Sequence, residues 1–182
     1  MTVIVPELPR HGERSDKEGD WDEIVADWQL FWAGEVRDSL LKEWLQILSH
    51  VQGSYSLPVT YFGLSLGTQY GILFLSQAEG VKAAVLGLFG SEPPPKSKIM
   101  NLSAPKILMP VYFIQKLDDE IHSTETTSHL YHSIGASEKV LDATTGLHRE
   151  VSRESIQKAC DFLLQNRSEE HTSELQSPDH LV

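Results

Sequence analysis

Three apolar runs in the middle of this chain, 57–63 (LPVTYFG), 81–89 (VKAAVLGLF) and 108–115 (LMPVYFIQ), lack the polar–apolar alternation of a half-buried strand. Short runs of this kind, rich in β-branched and aromatic residues, suit strands that are covered on both faces. A fourth strand is predicted at 137–143 (SEKVLDA). Between these runs the period turns helical, over 63–80 ending at Gly80, over 124–135 closed by Gly135, and over 152–165. Strand and helix alternate, which predicts an α/β domain with a mainly parallel sheet and helices on both faces.

Upstream, residues 3–5 (Val-Ile-Val) read as a short buried strand ended by Pro6. Asp20 with Glu23 three residues on resembles a capping box. The helix it opens carries Trp21, Val25, Trp28, Val36, Leu40 and Trp44 near four-residue spacing, and Gly34 is placed to divide it. Residues 52–56 read as a turn, 91–98 as a proline-rich surface loop, and 101–107 as a short helical turn. No internal repeat is present.

Composition narrows the function classes. Hydrophobic residues at 40% and charged residues at 23% describe a soluble globular chain, and no apolar run is long enough to span a membrane. The first residues lack the basic start and apolar stretch of a secretory signal. A net charge of −11 without a basic patch disfavours nucleic acid as a partner. The single cysteine, Cys160, excludes an internal disulfide and a cysteine-rich zinc site and reads as a buried packing residue. A cytoplasmic setting fits. The tail from Arg167 breaks the pattern: RSEEHTSELQS is the codon-for-codon translation of a common sequencing-adapter string. The natural domain is therefore expected over 1–166, with 167–182 a non-native, disordered tail. That tail holds one arginine and four acids, which leaves the domain at −8.

The residues that carry chemistry begin with Gly63-Leu64-Ser65-Leu66-Gly67, between a predicted strand and a predicted helix. A serine in such a sharp turn is pushed out at the carboxyl edge of the sheet, beside N–H groups of the following helix that can stabilise an oxyanion. The bland alternative is a serine that merely caps the helix. A serine nucleophile needs an imidazole base and a carboxylate to orient it. Asp118 and Asp119 follow the third strand, and His148 follows the last, so all candidates sit on loops at one sheet edge. Other histidines invite plainer readings: His11 orders a loop, His50 ends a helix, and His122 is solvent-exposed beside the acid loop. His129 and His132 share a helix face without a third ligand. No metal and no cofactor is expected, and no GxxxxGK phosphate cradle occurs.

At this point the chain resembles the dienelactone-hydrolase-related branch of the α/β-hydrolase superfamily, over essentially residues 1–166. The carriers are VIVPELPRHGERSD for a strand and "PGHG"-type loop, YFGLSLGT for the elbow, FIQKLDDEIHS for the acid loop and SIGASEKVLDATTGLH for the histidine loop. The resemblance implies Ser65 as nucleophile, Asp119 as the acid, His148 as the base and the Leu66 N–H as one oxyanion donor. Asp119 is favoured over Asp118 by alignment with the family's "QGxxDxxVP" loop, in which Lys116 stands for the usual glycine and Ser123 for the proline. Dienelactone hydrolases proper use cysteine, so serine points to an esterase-like relative acting on a small ester-like substrate. Residues 89–107 are too few for a lid domain, so an open site is expected. Alternatives on the same residues are a non-catalytic binding scaffold, or a peptidase, thioesterase or acyltransferase.

The family places further strands and a second oxyanion donor before residue 3. The resemblance thus implies a sheet lacking its first strands and a weakened catalyst, since one such donor is worth about 10²–10³ in rate.

Overall fold

The computed structural model describes residues 2–8, 12–14, 34–91 and 96–167. Asp20, Glu23, Trp21, Val25, Trp28, His11, the prolines of the 91–98 loop and the adapter-like residues from 168 on, with His171 and His180, lie outside them. Packing divides the chain into two units, 1–56 and 57–182.

In the first unit, residues 3–5 form no strand, contrary to the sequence reading. Val3, Ile4 and Val5 are 69%, 49% and 83% exposed. An extended apolar triplet becomes a strand only where a neighbour completes its ladder, and residues 3–5 pair with none of the four strands. Glu7 accepts from the Glu13 N–H through its carboxylate and from Arg14 Nη1 through its carbonyl. Helix α1 spans Glu35–Ser54 and opens at Gly34, whose φ of 129° is a conformation that side chains disfavour. Leu40, Trp44 and Leu48, four apart, are its buried stripe, with Leu41 beside them. Arg14 meets Glu43 on α1 through both terminal nitrogens, at 3.0 and 3.1 Å. The helix runs on to Ser54, through the expected turn, so His50 lies inside it rather than at its end.

The second unit holds a four-stranded parallel sheet whose spatial order follows the chain. Its strands are β1 (Val59–Phe62), β2 (Val81–Gly87), β3 (Val111–Lys116) and β4 (Lys139–Thr144). The helices are α2 (Leu66–Leu75), α3 (Lys96–Ser103), α4 (Thr124–Ser133) and α5 (Arg153–Gln165). A 3-10 turn, Ala104–Lys106, follows α3. β2 and β3 are buried almost throughout, which is why their sequences show no alternation, whereas β4 at the edge is largely exposed.

The two faces are covered by different helices. On one, Ala83, Val85, Tyr112 and Ile114 pack with Ala159 and Phe162 of α5. On the other, Gln115 Nε2 donates to Thr124, Thr127 and Ser128 of α4, and the Phe113 and Tyr131 rings lie 5.7 Å apart. α2 and α3 share that second side with α4. Cys160 on α5 is half-buried rather than enclosed. Lys139 caps the carboxyl end of α4, donating to the Tyr131 and Ile134 carbonyls at 3.2 and 2.8 Å. No described helix is long and apolar enough to cross a membrane.

Candidate active site

Among the described residues, three serines directly precede α-helices, and one differs from the others. Ser123 and Ser152 have extended backbones, and each side chain accepts an N–H from the first turn of its helix. Ser65 precedes α2 with φ 54° and ψ −113°, and its side chain makes no capping bond. A side-chain-bearing residue with positive φ stores strain of about 1–3 kcal/mol, which persists only where the surroundings enforce it. Here they do. The Ser65 N–H donates to the Gly87 carbonyl at 3.0 Å, the Gly63 N–H to Val85 at 3.0 Å and the Gly67 N–H to Leu64 at 2.9 Å. Thr68 lies beneath the turn: its Oγ1 sits 2.8 Å from the Gly63 carbonyl and 2.6 Å from that of Gly87, and accepts the Gly87 N–H at 2.7 Å. Freed from capping, the Ser65 hydroxyl lies 3.0 Å from His148 Nε2.

The two glycines flanking the serine are not equivalent. A Cβ at Gly63 would stand 2.7 Å from the Tyr61 ring and 2.8 Å from the Gly67 backbone, and one at Gly71 would stand 2.6 Å from the same ring. At Gly67 the nearest atom, Tyr61 Oη, is 4.0 Å away. Tyr61 reaches under the turn to donate to the Gly67 carbonyl at 2.7 Å. The close passage is therefore governed by Gly63 and Gly71 around a tyrosine wedge. Gly63→Ala is expected to destabilise by about 1–3 kcal/mol through overpacking, whereas Gly67→Ala is expected to be neutral or stabilising by up to about 1 kcal/mol in its helix. Urea denaturation of both variants checks the contrast.

The acid and histidine loops leave the carboxyl ends of neighbouring strands β3 and β4 and are laced together. Working outward, the Leu117 N–H donates to the Thr144 carbonyl at 2.9 Å. Asp118 Oδ2 then accepts from Gly146 N–H at 2.8 Å. Asp119 Oδ2 lies 2.8 Å from His148 Nδ1. Glu120 Oε2 accepts from the His148 N–H at 2.8 Å. Of the two candidate aspartates, it is thus Asp119 that touches the imidazole, while Asp118 fastens the turn before it. Ser123 has φ −62°, a value that proline also adopts.

Electrostatics follow from these contacts. Burial works to raise the Asp119 pKa, but the His122 N–H, the His148 ring and the Ile121 N–H together outweigh it and hold the carboxyl below its ordinary value. The two N–H groups reach its Oδ1 at 2.9 and 2.8 Å. The Glu120 carboxyl is also lowered, chiefly by the His148 backbone N–H. An ionised Asp119 accepts from Nδ1–H, which leaves Nε2 of the neutral ring as acceptor for the Ser65 hydroxyl. Leu66 is the first residue of α2, where helix geometry gives its N–H no intrahelical acceptor.

His122 is buried, contrary to the sequence reading. Its ring lies 4.8 Å from Phe89 and 5.9 Å from His148, between centroids. His129 Nδ1 pairs with Ser91 Oγ at 2.7 Å. Among the described residues no group of three histidine, cysteine or acidic side chains could hold a metal ion. Thr68, Tyr61, Glu120 and the lacing role of Asp118 had no signature in the sequence.

No family model matches the chain, and neither does any curated protein. Solved structures do. A cold-adapted esterase from an Arctic intertidal metagenomic library is similar at 28% identity and TM-score 0.64, over 69% of this chain and 57% of the other. A polyethylene-glycol-bound complex with the same description aligns at 26% identity and TM-score 0.75, over 88% of this chain and 67% of that one. The esterase domain of a Rhodothermus marinus protein shares the fold at 13% identity and TM-score 0.57, over 70% and 67% of the two chains. The chain thus spans 57% of the length of the first of these structures. Its fold is of the α/β-hydrolase type.

Proposed function

We propose that this chain belongs to a serine hydrolase that cleaves a carboxylic ester of a small molecule through an acyl-enzyme. The observation that carries the reading is the run of contacts from Ser65 Oγ to His148 Nε2 at 3.0 Å and from His148 Nδ1 to Asp119 Oδ2 at 2.8 Å. Similarity to esterases above one-quarter identity supports the ester as the bond. Serine rather than cysteine in the elbow sets it apart from dienelactone hydrolases proper.

In the acylation step Ser65 Oγ attacks the ester carbonyl as its proton passes to His148 Nε2. Asp119 stabilises the imidazolium and fixes the ring, and the Leu66 N–H faces the developing oxyanion. Collapse of the tetrahedral intermediate breaks the bond to the alcohol oxygen, which takes the proton from Nε2. Water, deprotonated by the same nitrogen, then attacks the acyl-serine and releases the acid.

A fluorophosphonate probe tests the assignment, because it forms a stable adduct only with an activated serine. The adduct is expected on the peptide containing Ser65 and is expected to vanish in Ser65→Ala. Equal labelling of folded wild type and variant refutes the reading.

A further inference from the structure

Lys116 is the last residue of β3, and its side chain is only 3% exposed. Its Nζ donates to Thr144 Oγ1 at 3.1 Å and to the Thr145 carbonyl. The amine also packs against Gly146: a Cβ there would stand 2.9 Å from Nζ, 3.0 Å from Cε and 2.9 Å from Glu150 Oε2. Gly146 has φ 112°, so this stretch turns sharply two residues before His148. Among the described residues, no carboxylate lies within ion-pair distance of Nζ.

A buried ammonium whose hydrogen bonds all go to neutral acceptors, with the nearby Glu150 carboxylate outside ion-pair distance, is a poor device for stability. Its desolvation is costly, and an apolar side chain of similar length commonly serves the fold as well or better. What Lys116 does supply is one donor to the Thr145 carbonyl of the histidine loop and another to the Thr144 hydroxyl at the end of β4, while Asp118 accepts the Gly146 N–H. We infer that Lys116 is a positioning residue, a buried ammonium on which the histidine loop is seated so that His148 meets Ser65. The proposal rests on the hydrolase reading above for its consequence in rate, and it stands apart from that reading for its consequence in loop order.

Lys116→Met keeps the stem and removes every donor. Two measurements separate the outcomes. Amide exchange at Gly146 and His148 reads the seating of the loop without turnover, and is expected to quicken while global unfolding stays unchanged or shifts to higher temperature. On a short-chain nitrophenyl ester, kcat is expected to fall about 10–100-fold at similar KM, as for a misplaced catalytic group, and Lys116→Arg is expected to restore part of it. Unaltered exchange in Lys116→Met overturns the proposal, and so does a loss of kcat matched by global unfolding. If wild type turns over no ester and exchange still quickens, the hydrolase reading fails and the seating role stands. Should Lys116→Met not fold, Thr144→Val removes one acceptor of the amine in β4, and wild-type exchange and kcat in that variant overturn the proposal equally.

Discussion

Ester turnover by His148→Ala is expected to fall about 10⁶-fold, and adding Ser65→Ala to that variant is expected to cost almost nothing more. The reason is the single chain of contacts. Among the described residues, the Ser65 hydroxyl, unused for capping, goes to His148 Nε2 alone. At neutral pH a serine hydroxyl without a base is a negligible nucleophile, so removing either partner removes the same step. What survives is binding and whatever stabilisation the elbow N–H groups give an attacking water. Steady-state kinetics of the two single variants and the double variant check this. A His148→Ala protein within tenfold of wild type while Ser65→Ala is inactive would mean that another group takes the proton. His122, with its ring 5.9 Å from that of His148, would be the first to examine.

The parts of this molecule that were legible in the sequence are those written in local chemistry. β2 and β3 are covered on both sides, so their residues carry the unbroken apolar runs from which the parallel sheet was read. The helical periods over 124–135 and 152–165 are local in the same way, and α4 and α5 lie within them. The segment 3–5 misled because β-propensity says only that a residue fits a pleated surface, and whether a partner strand lies beside it is decided elsewhere. The order of Ser65, the two aspartates and His148 along the chain, each beyond a strand, was enough to place them at one sheet edge. It was not enough to tell Asp118 from Asp119 without a family pattern. Neighbouring carboxylates differ only in where a loop of β3 meets a loop of β4, 29 residues on in the Asp119–His148 pair. The same holds for Thr68 and Tyr61. A threonine hydroxyl tying the elbow to the end of β2 across 19 residues leaves no trace in the spacing of either segment.

The two aspartates differ by one position in sequence, and their removal is expected to differ by about three orders of magnitude in effect. Asp119→Asn is expected to lower kcat about 10⁴-fold, the usual consequence of an amide that cannot stabilise an imidazolium and permits the wrong tautomer. Its oxygen can still accept the Ile121 and His122 N–H groups, so the loop should keep its shape. Asp118→Asn retains an acceptor for Gly146 N–H and touches no ring atom, so its kcat is expected to stay within about tenfold of wild type. Stability gives an independent reading. The folded-state pKa of Asp119 lies below the ordinary carboxylate value of 3.8, so its ionisation contributes stability that is fully present above that value. That contribution is lost as pH falls through the lower folded value, where wild type must take up a proton that the unfolded chain has already bound. The stability gap between wild type and Asp119→Asn should therefore be constant at neutral pH and narrow below pH 3.8. Urea midpoints across that range measure it. If Asp118→Asn instead shows the larger loss of kcat, then the carboxylate seen against His148 is not the one that works on it, and the proton path must run through the turn at Gly146.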